Sequence, residues 1–130
     1  MSGINTQLSF LVVEDNPGDI FLLKEFLHAT DLDIGNILEV DRLSEAKRVL
    51  AEQNIDLVFL DLSLPDSFGL DSYISLSAEA QHLPVILLTG RTWAADTTAE
   101  ELGARALIRK PFDLDDLLRT VESTVGDRQA

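Results

Sequence analysis

The sequence predicts an α/β fold, a doubly wound, five-stranded parallel sheet in the order 2-1-3-4-5 with five helices on its two faces. Two observations predict it. Apolar runs of strand length stand at Phe10–Val13, Leu57–Leu60 and Val85–Leu88. A strand without polar alternation is one buried on both faces, the condition of a parallel sheet covered by helices. Each strand pattern is followed by a stretch with helical apolar spacing, so the chain reads as strand then helix five times over, and that alternation implies right-handed crossovers between parallel strands.

The first strand, Leu8 to Val13, runs straight into Glu14-Asp15-Asn16-Pro17-Gly18-Asp19. Asn16, Pro17 and Gly18 make a turn, and Asp19 starts a helix that places Ile20, Leu23 and Leu27 on one face. Asp31 to Asn36 reads as a loop, and Ile37, Leu38 and Val40 as a shorter strand near the sheet edge. Ser44 is placed to cap a helix that turns Ala46, Val49 and Leu50 inward and closes before Asn54. The third strand ends on Asp61, and Pro65 with Gly69 ends regular structure soon afterwards. A short helix through Tyr73, Ile74 and Leu76 follows. Pro84 opens a fourth strand that terminates on Thr89-Gly90. A helix around Ala94 to Leu102 has a light, alanine-rich face and stops at Gly103. Ala106 to Ile108 is the fifth strand, ending on Arg109-Lys110-Pro111. Asp113 caps the last helix, with Asp115 and Asp116 in its first turn and Leu114, Leu117, Leu118, Val121 and Val125 as its buried stripe.

At 130 residues the chain fits one domain, 1–130, with a core of its own. There is no cysteine, which excludes disulfides, thiolate nucleophiles and cysteine metal sites. No apolar run reaches membrane-spanning length, and the N-terminus lacks the layout of a secretion signal, so a cytoplasmic protein with no membrane partner is expected. The formal charge of -13, with Lys24, Lys47 and Lys110 the only lysines, opposes binding to nucleic acid or anionic membranes.

The strand ends carry the chemistry. Glu14 and Asp15 leave the first strand, Asp61 the third, Thr89 the fourth and Lys110 the fifth. In an open parallel sheet ligands bind beyond the carboxyl ends of the strands, and the order 2-1-3-4-5 puts the first and third side by side at the switch point. Two unit charges about 4 Å apart repel by on the order of 4 kcal/mol at an effective dielectric of 20, so three clustered carboxylates call for a cation. Oxygen ligands with room for water and phosphate suit Mg2+. Taken singly, Asp61 could be a loop cap, Thr89 a strand-terminal hydroxyl and Lys110 a surface cation; only the shared pocket promotes them.

With these residues the chain resembles the receiver domain of two-component response regulators, on a flavodoxin-like fold, over nearly its whole length. The matching features are Glu14-Asp15, Asp61-Leu-Ser-Leu-Pro65 with Gly69, Thr89-Gly90 and Lys110-Pro111-Phe112. The resemblance implies that Asp61 is the phosphoacceptor, that Asp15, Asp61 and the backbone carbonyl of Ser63 hold Mg2+, and that Glu14 acts through bound water. It implies that Thr89 hydrogen-bonds the phosphoryl oxygens, that Lys110 pairs with them, and that Lys110-Pro111 is a cis peptide. It implies a histidine kinase or histidine phosphotransfer protein as donor. The output would be a protein target or homodimer engaged through the 94–102 helix, the fifth strand and the last helix, with no enzymatic activity beyond the protein's own phosphorylation and dephosphorylation.

Departures from that pattern are informative. Leu107 stands where receivers often carry an aromatic switch residue, which speaks against an aromatic rotamer switch. Ser63 and Arg91 occupy positions that tune loss of phosphate in the family. His28 and His82 read as surface or core-edge residues, and Trp93 as either a packing residue or an exposed partner contact. Of three rival classes, two have discriminating features. A Mg2+-dependent phosphohydrolase of the haloacid dehalogenase type resembles this chain in using Asp, Thr and Lys, but normally has a second Asp where Ser63 stands. An FMN carrier needs a phosphate-binding first loop, which Glu14 and Asp15 would repel. A receiver-shaped module that is never phosphorylated would keep the same residues.

Overall fold

The computed structural model describes residues 7–68, 70–79, 82–90 and 104–129. In chain order the elements are β1 (Leu8–Val13), α1 (Pro17–His28), β2 (Ile34–Val40), α2 (Leu43–Glu52), β3 (Leu57–Asp61), β4 (Ser63–Leu64), β5 (Ser67–Phe68), α3 (Leu70–Glu79), β6 (Val85–Thr89), β7 (Ala106–Arg109) and α4 (Leu114–Gln129). Five parallel strands form one sheet in the order β2-β1-β3-β6-β7, and β4 and β5 pair as a separate antiparallel hairpin. The predicted sheet order is the observed one. The predicted helix around Ala94 to Leu102, with Arg91, Trp93 and Gly103, lies outside the described residues.

Because side chains alternate across a strand, each strand feeds two cores. Phe10, Val12, Leu57, Phe59, Ile86, Leu88 and Ile108 pack on Leu23 and Leu27 of α1 and Leu117, Val121 and Val125 of α4. Leu11, Val13, Val58, Leu60, Val85 and Leu87 face Leu43, Ala46 and Val49 of α2 and Leu76 of α3. Phe10 and Phe59 meet edge to face with ring centroids 6.0 Å apart at the centre of the first layer. Side chains of this kind each contribute about 1.5–3 kcal/mol by burial.

Several local readings are corrected. The first helix begins at Pro17, not Asp19: Asn16 is the cap, its side chain accepting from the Asp19 amide at 3.1 Å, and proline takes the first turn, where its missing N–H costs nothing. The second strand starts at Ile34 rather than Ile37, because a register shift between Leu8 and Ser9 absorbs Gly35 while the pairing continues. A side chain at Gly35 would meet Gln7 at 3.1 Å. Asp113 does cap α4, accepting from the Asp116 amide at 3.0 Å. Of its expected stripe, Leu117, Val121 and Val125 are buried, whereas Leu114 is 39% exposed and Leu118 half-buried. Leu118 lies about 100° round the helix from Leu117. Buried Thr124 joins the stripe instead, its hydroxyl satisfied by the Thr120 carbonyl at 2.7 Å. Ile74 of α3 is 59% exposed.

Ser44 does not cap α2. Arg42 stands at the cap position with no capping bond from its side chain, and the carboxylate of Asp66, in the turn between β4 and β5, accepts from the amides of Leu43 at 2.8 Å and Ser44 at 3.0 Å. Partial desolvation works against the charged form of Asp66, but those hydrogen bonds outweigh it and hold the carboxyl below its ordinary value. One carboxylate therefore caps α2 and ties the segment after Asp61 to it. Asp66→Ala should lower stability by about 1 kcal/mol in urea unfolding, the usual worth of a helix cap, with Asp66→Asn intermediate. Equal midpoints for Asp66→Ala and the unaltered chain would contradict this cap.

Candidate functional site

The carboxyl ends of β1, β3, β6 and β7 are held in register by backbone bonds at or just past the ends of these strands. The Glu14 amide donates to the Val40 carbonyl at 3.0 Å, the Leu62 amide to Leu88 at 3.0 Å, and the Lys110 amide to Thr89 at 2.8 Å. Strand parity then sets direction. Glu14 follows Val12 by two residues, Asp61 follows Phe59 and Lys110 follows Ile108, so all three continue the layer that packs against α1 and α4. The Lys110–Pro111 peptide is cis, as the resemblance implied, and Phe112 is buried in the same layer.

These side chains converge. Lys110 Nζ lies 2.7 Å from Glu14 Oε2, 2.8 Å from Asp19 Oδ2 and 3.4 Å from Asp61 Oδ2. Carboxylate oxygens of Glu14, Asp15 and Asp61 all lie within 4.8 Å of one another, Glu14 and Asp61 buried and Asp15 exposed. The other oxygen of Asp61 accepts from the Ser63 amide at 3.0 Å, which fixes the start of the β4–β5 hairpin against the site. Thr89 is buried, and its hydroxyl donates to the Gly90 carbonyl at a long 3.2 Å. Leu107 is half-buried against the α2 and α3 layer, facing away from the carboxylates. Arg91 lies outside the described residues.

Burial and nearness to Asp61 push the Glu14 carboxyl up to about 8, against the opposing pull of Lys110. Burial works against charge on Lys110, but hydrogen bonds to Asp19 and Glu14 hold its ammonium above the ordinary lysine value. Three carboxylates thus meet around one lysine, with Asp15 close to two of them, and this excess of negative charge adds to burial in raising the Glu14 carboxyl. A divalent cation would compensate that excess, so the oxygen-only donor set Glu14, Asp15 and Asp61 fits Mg2+. A groove of about 580 Å³ opens beside it, lined in part by Asp15, Pro17, Phe21 and Lys24. No helix among the described residues is long and apolar enough to cross a membrane.

The sequence pattern gives Asp19 only a helix start, yet the structure makes it a full partner of Lys110. The signal was present: a carboxylate in the first turn of the helix leaving β1 stands above the same layer as Glu14, so the two reach the same cation.

A family model described as response regulator receiver domain matches residues 10–122. The chain is 33% identical over 117 residues to the swarming motility regulation protein RssB of Serratia marcescens, covering 89% of this chain and 52% of that protein. It is 27% identical over 122 residues to the polar-differentiation response regulator DivK of Brucella ovis, covering 92% of this chain and 97% of that one. Among solved structures, a response regulator receiver domain protein from Clostridium thermocellum superimposes with a TM-score of 0.77 at 26% identity, covering 94% of this chain and 97% of that chain. The chain therefore spans about half the length of the Serratia protein and nearly all of the Brucella one.

The raised Glu14 carboxyl has a defined sign in stability. Between its ordinary 4.5 and about 8 the folded chain keeps a proton that the unfolded chain has released, so stability falls as pH rises through that window. In metal-free buffer the urea midpoint of the unaltered chain should fall more steeply between about pH 5 and pH 8 than that of Glu14→Gln. Parallel curves would contradict the buried, crowded state assigned to Glu14.

Proposed function

Since this chain belongs to the response regulator receiver family, we propose that it takes a phosphoryl group onto Asp61 from a histidine kinase or histidine phosphotransfer protein, in a Mg2+-dependent reaction, and signals by protein contact. The observation that carries this reading is the convergence of three carboxylates, Glu14, Asp15 and Asp61, with the ammonium of Lys110 3.4 Å from Asp61. A nucleophilic carboxylate, a metal ligand set and a fixed cation are the parts that phosphoryl transfer needs.

Asp15, Asp61 and the backbone carbonyl of Ser63 would hold Mg2+, with Glu14 acting through bound water. Bound there, the ion supplies charge neutralisation for the phosphoryl oxygens. A carboxylate oxygen of Asp61 forms the new bond to phosphorus as the phosphorus–nitrogen bond to the donor histidine breaks. The electron pair returns to that nitrogen, and the donor leaves as imidazole. The Ser63 amide holds the second Asp61 oxygen and so orients the nucleophile. Lys110 stabilises the charge that spreads over the phosphoryl oxygens. Thr89 exchanges its long bond to the Gly90 carbonyl for a phosphoryl oxygen, which biases the end of β6 toward a second arrangement. The signal then leaves through the face of β7 and α4, to a protein target or a second copy of the chain. Its chemistry is confined to its own phosphorylation and dephosphorylation, and its place is the cytoplasm.

Incubation with acetyl phosphate and Mg2+, followed by intact-mass measurement, should show one added phosphoryl group that Asp61→Asn does not acquire. Lys110→Ala should slow its appearance by roughly a hundredfold or more. An adduct that persists in Asp61→Asn, or none on the unaltered chain, would contradict the reading. Rapid turnover of external phosphoesters would favour the phosphohydrolase.

A further inference from the structure

The proposed reaction uses Glu14, Asp15, Asp61, Ser63, Thr89 and Lys110, and leaves Asp19 without a part. Yet Asp19 is nearer to Lys110 Nζ, at 2.8 Å, than the phosphoacceptor is, at 3.4 Å. It is not one of the three carboxylates that could share a metal. It belongs to α1, where its amide is bonded to the Asn16 side chain at 3.1 Å, so its position is set by the helix rather than by the site. The positive end of a helix also favours a carboxylate in its first turn. Lys110 is thus drawn between the sheet's carboxylates and a fixed one on the neighbouring helix.

Resting on the reading of Asp61 as phosphoacceptor, we propose that Asp19 is a positioning residue that competes with the incoming phosphoryl group for the ammonium of Lys110. In the unphosphorylated chain Asp19 holds Lys110 toward α1. When Asp61 gains its phosphoryl group, the lysine must divide its hydrogen bonds between that group and Asp19. The helical carboxylate therefore slows phosphoryl gain, and loss of its contact with Lys110 transmits the event to the start of α1. The pair is partly exposed, with side-chain exposures of 18% for Lys110 and 27% for Asp19, so the effect is that of a modest ion pair and is weakened by salt.

Two measurements test this, one of them without metal or donor. In metal-free buffer, the unfolding equilibrium constants of the unaltered chain, Asp19→Asn, Lys110→Met and the double variant form a cycle. Relative to the Lys110→Met background, Asp19→Asn should raise the unfolding constant of the chain that keeps Lys110 by roughly two- to fivefold. A helix-start role alone would make the two changes equal, and that result overturns the pairing. With acetyl phosphate at saturating Mg2+, Asp19→Asn should be phosphorylated roughly two- to fivefold faster than the unaltered chain, an advantage that shrinks at high salt. Asp19→Glu should restore the slower rate, and Asp19→Ser, a second neutral variant, should match Asp19→Asn. Rates for Asp19→Asn and Asp19→Ser at or below that of the unaltered chain overturn this inference alone. No adduct on the unaltered chain overturns the phosphoacceptor reading and this inference with it.

Discussion

The structure turns on an imbalance of charge at the rim of the sheet. Glu14, Asp19 and Asp61 share one ammonium, and Asp15 stands close enough to join Glu14 and Asp61 around a single point. Each unit pair of like charges at about 4 Å costs on the order of 4 kcal/mol at an effective dielectric of 20, more than one lysine offsets. A chain that keeps such an arrangement has a site that lowers its free energy by taking up positive charge. That is the property on which the proposed metal binding, and the proposed stabilisation of a phosphoryl group, rest.

What holds the repelling groups together is the sheet. Three backbone hydrogen bonds fix Glu14, Leu62 and Lys110 at the strand ends, and the apolar layers beneath them, centred on the Phe10–Phe59 contact, leave the strands no freedom to splay. The cost of crowding is thus met by burial some residues away, as is common where function requires local strain. The segment after Asp61 is restrained from two sides: the Ser63 amide bonds to Asp61, and Asp66 bonds to the first amides of α2. Any shift of Asp61 is therefore felt at α2, and any shift of Lys110 at α1.

The sheet was legible because uninterrupted apolar runs admit few other environments, and its order because alternating strands and helices point to the doubly wound topology, which then brings the strand-end carboxylates and Lys110 together. Glu14, Asp15, Asp61 and Lys110 could be assembled from strand ends alone. The errors share one cause. Asp66 capping α2 and Asp19 reaching Lys110 are contacts between a side chain and a partner that local spacing does not reveal; local signals favoured Ser44 as the cap and Asp19 as a helix start instead. Strand parity, which points Glu14, Asp61 and Lys110 toward α1, was the available clue to Asp19. Leu118 was misplaced for a related reason, since the stripe of α4 follows the i, i+4 row through Leu117, Val121 and Val125 and runs on to Thr124, a residue whose polarity hides its burial.

The most direct test of the charge-deficient site is where a divalent ion settles. Trace Mn2+, an oxygen-seeking substitute for Mg2+, broadens amide resonances near the place it occupies. Broadening should be strongest at Glu14, Asp15, Asp61, Leu62 and Ser63 and should fade toward Leu8 and Leu57 at the opposite ends of the same strands. Equal broadening across the acidic surface, at Asp41, Glu45 and Glu52 as much as at Asp61, would contradict it.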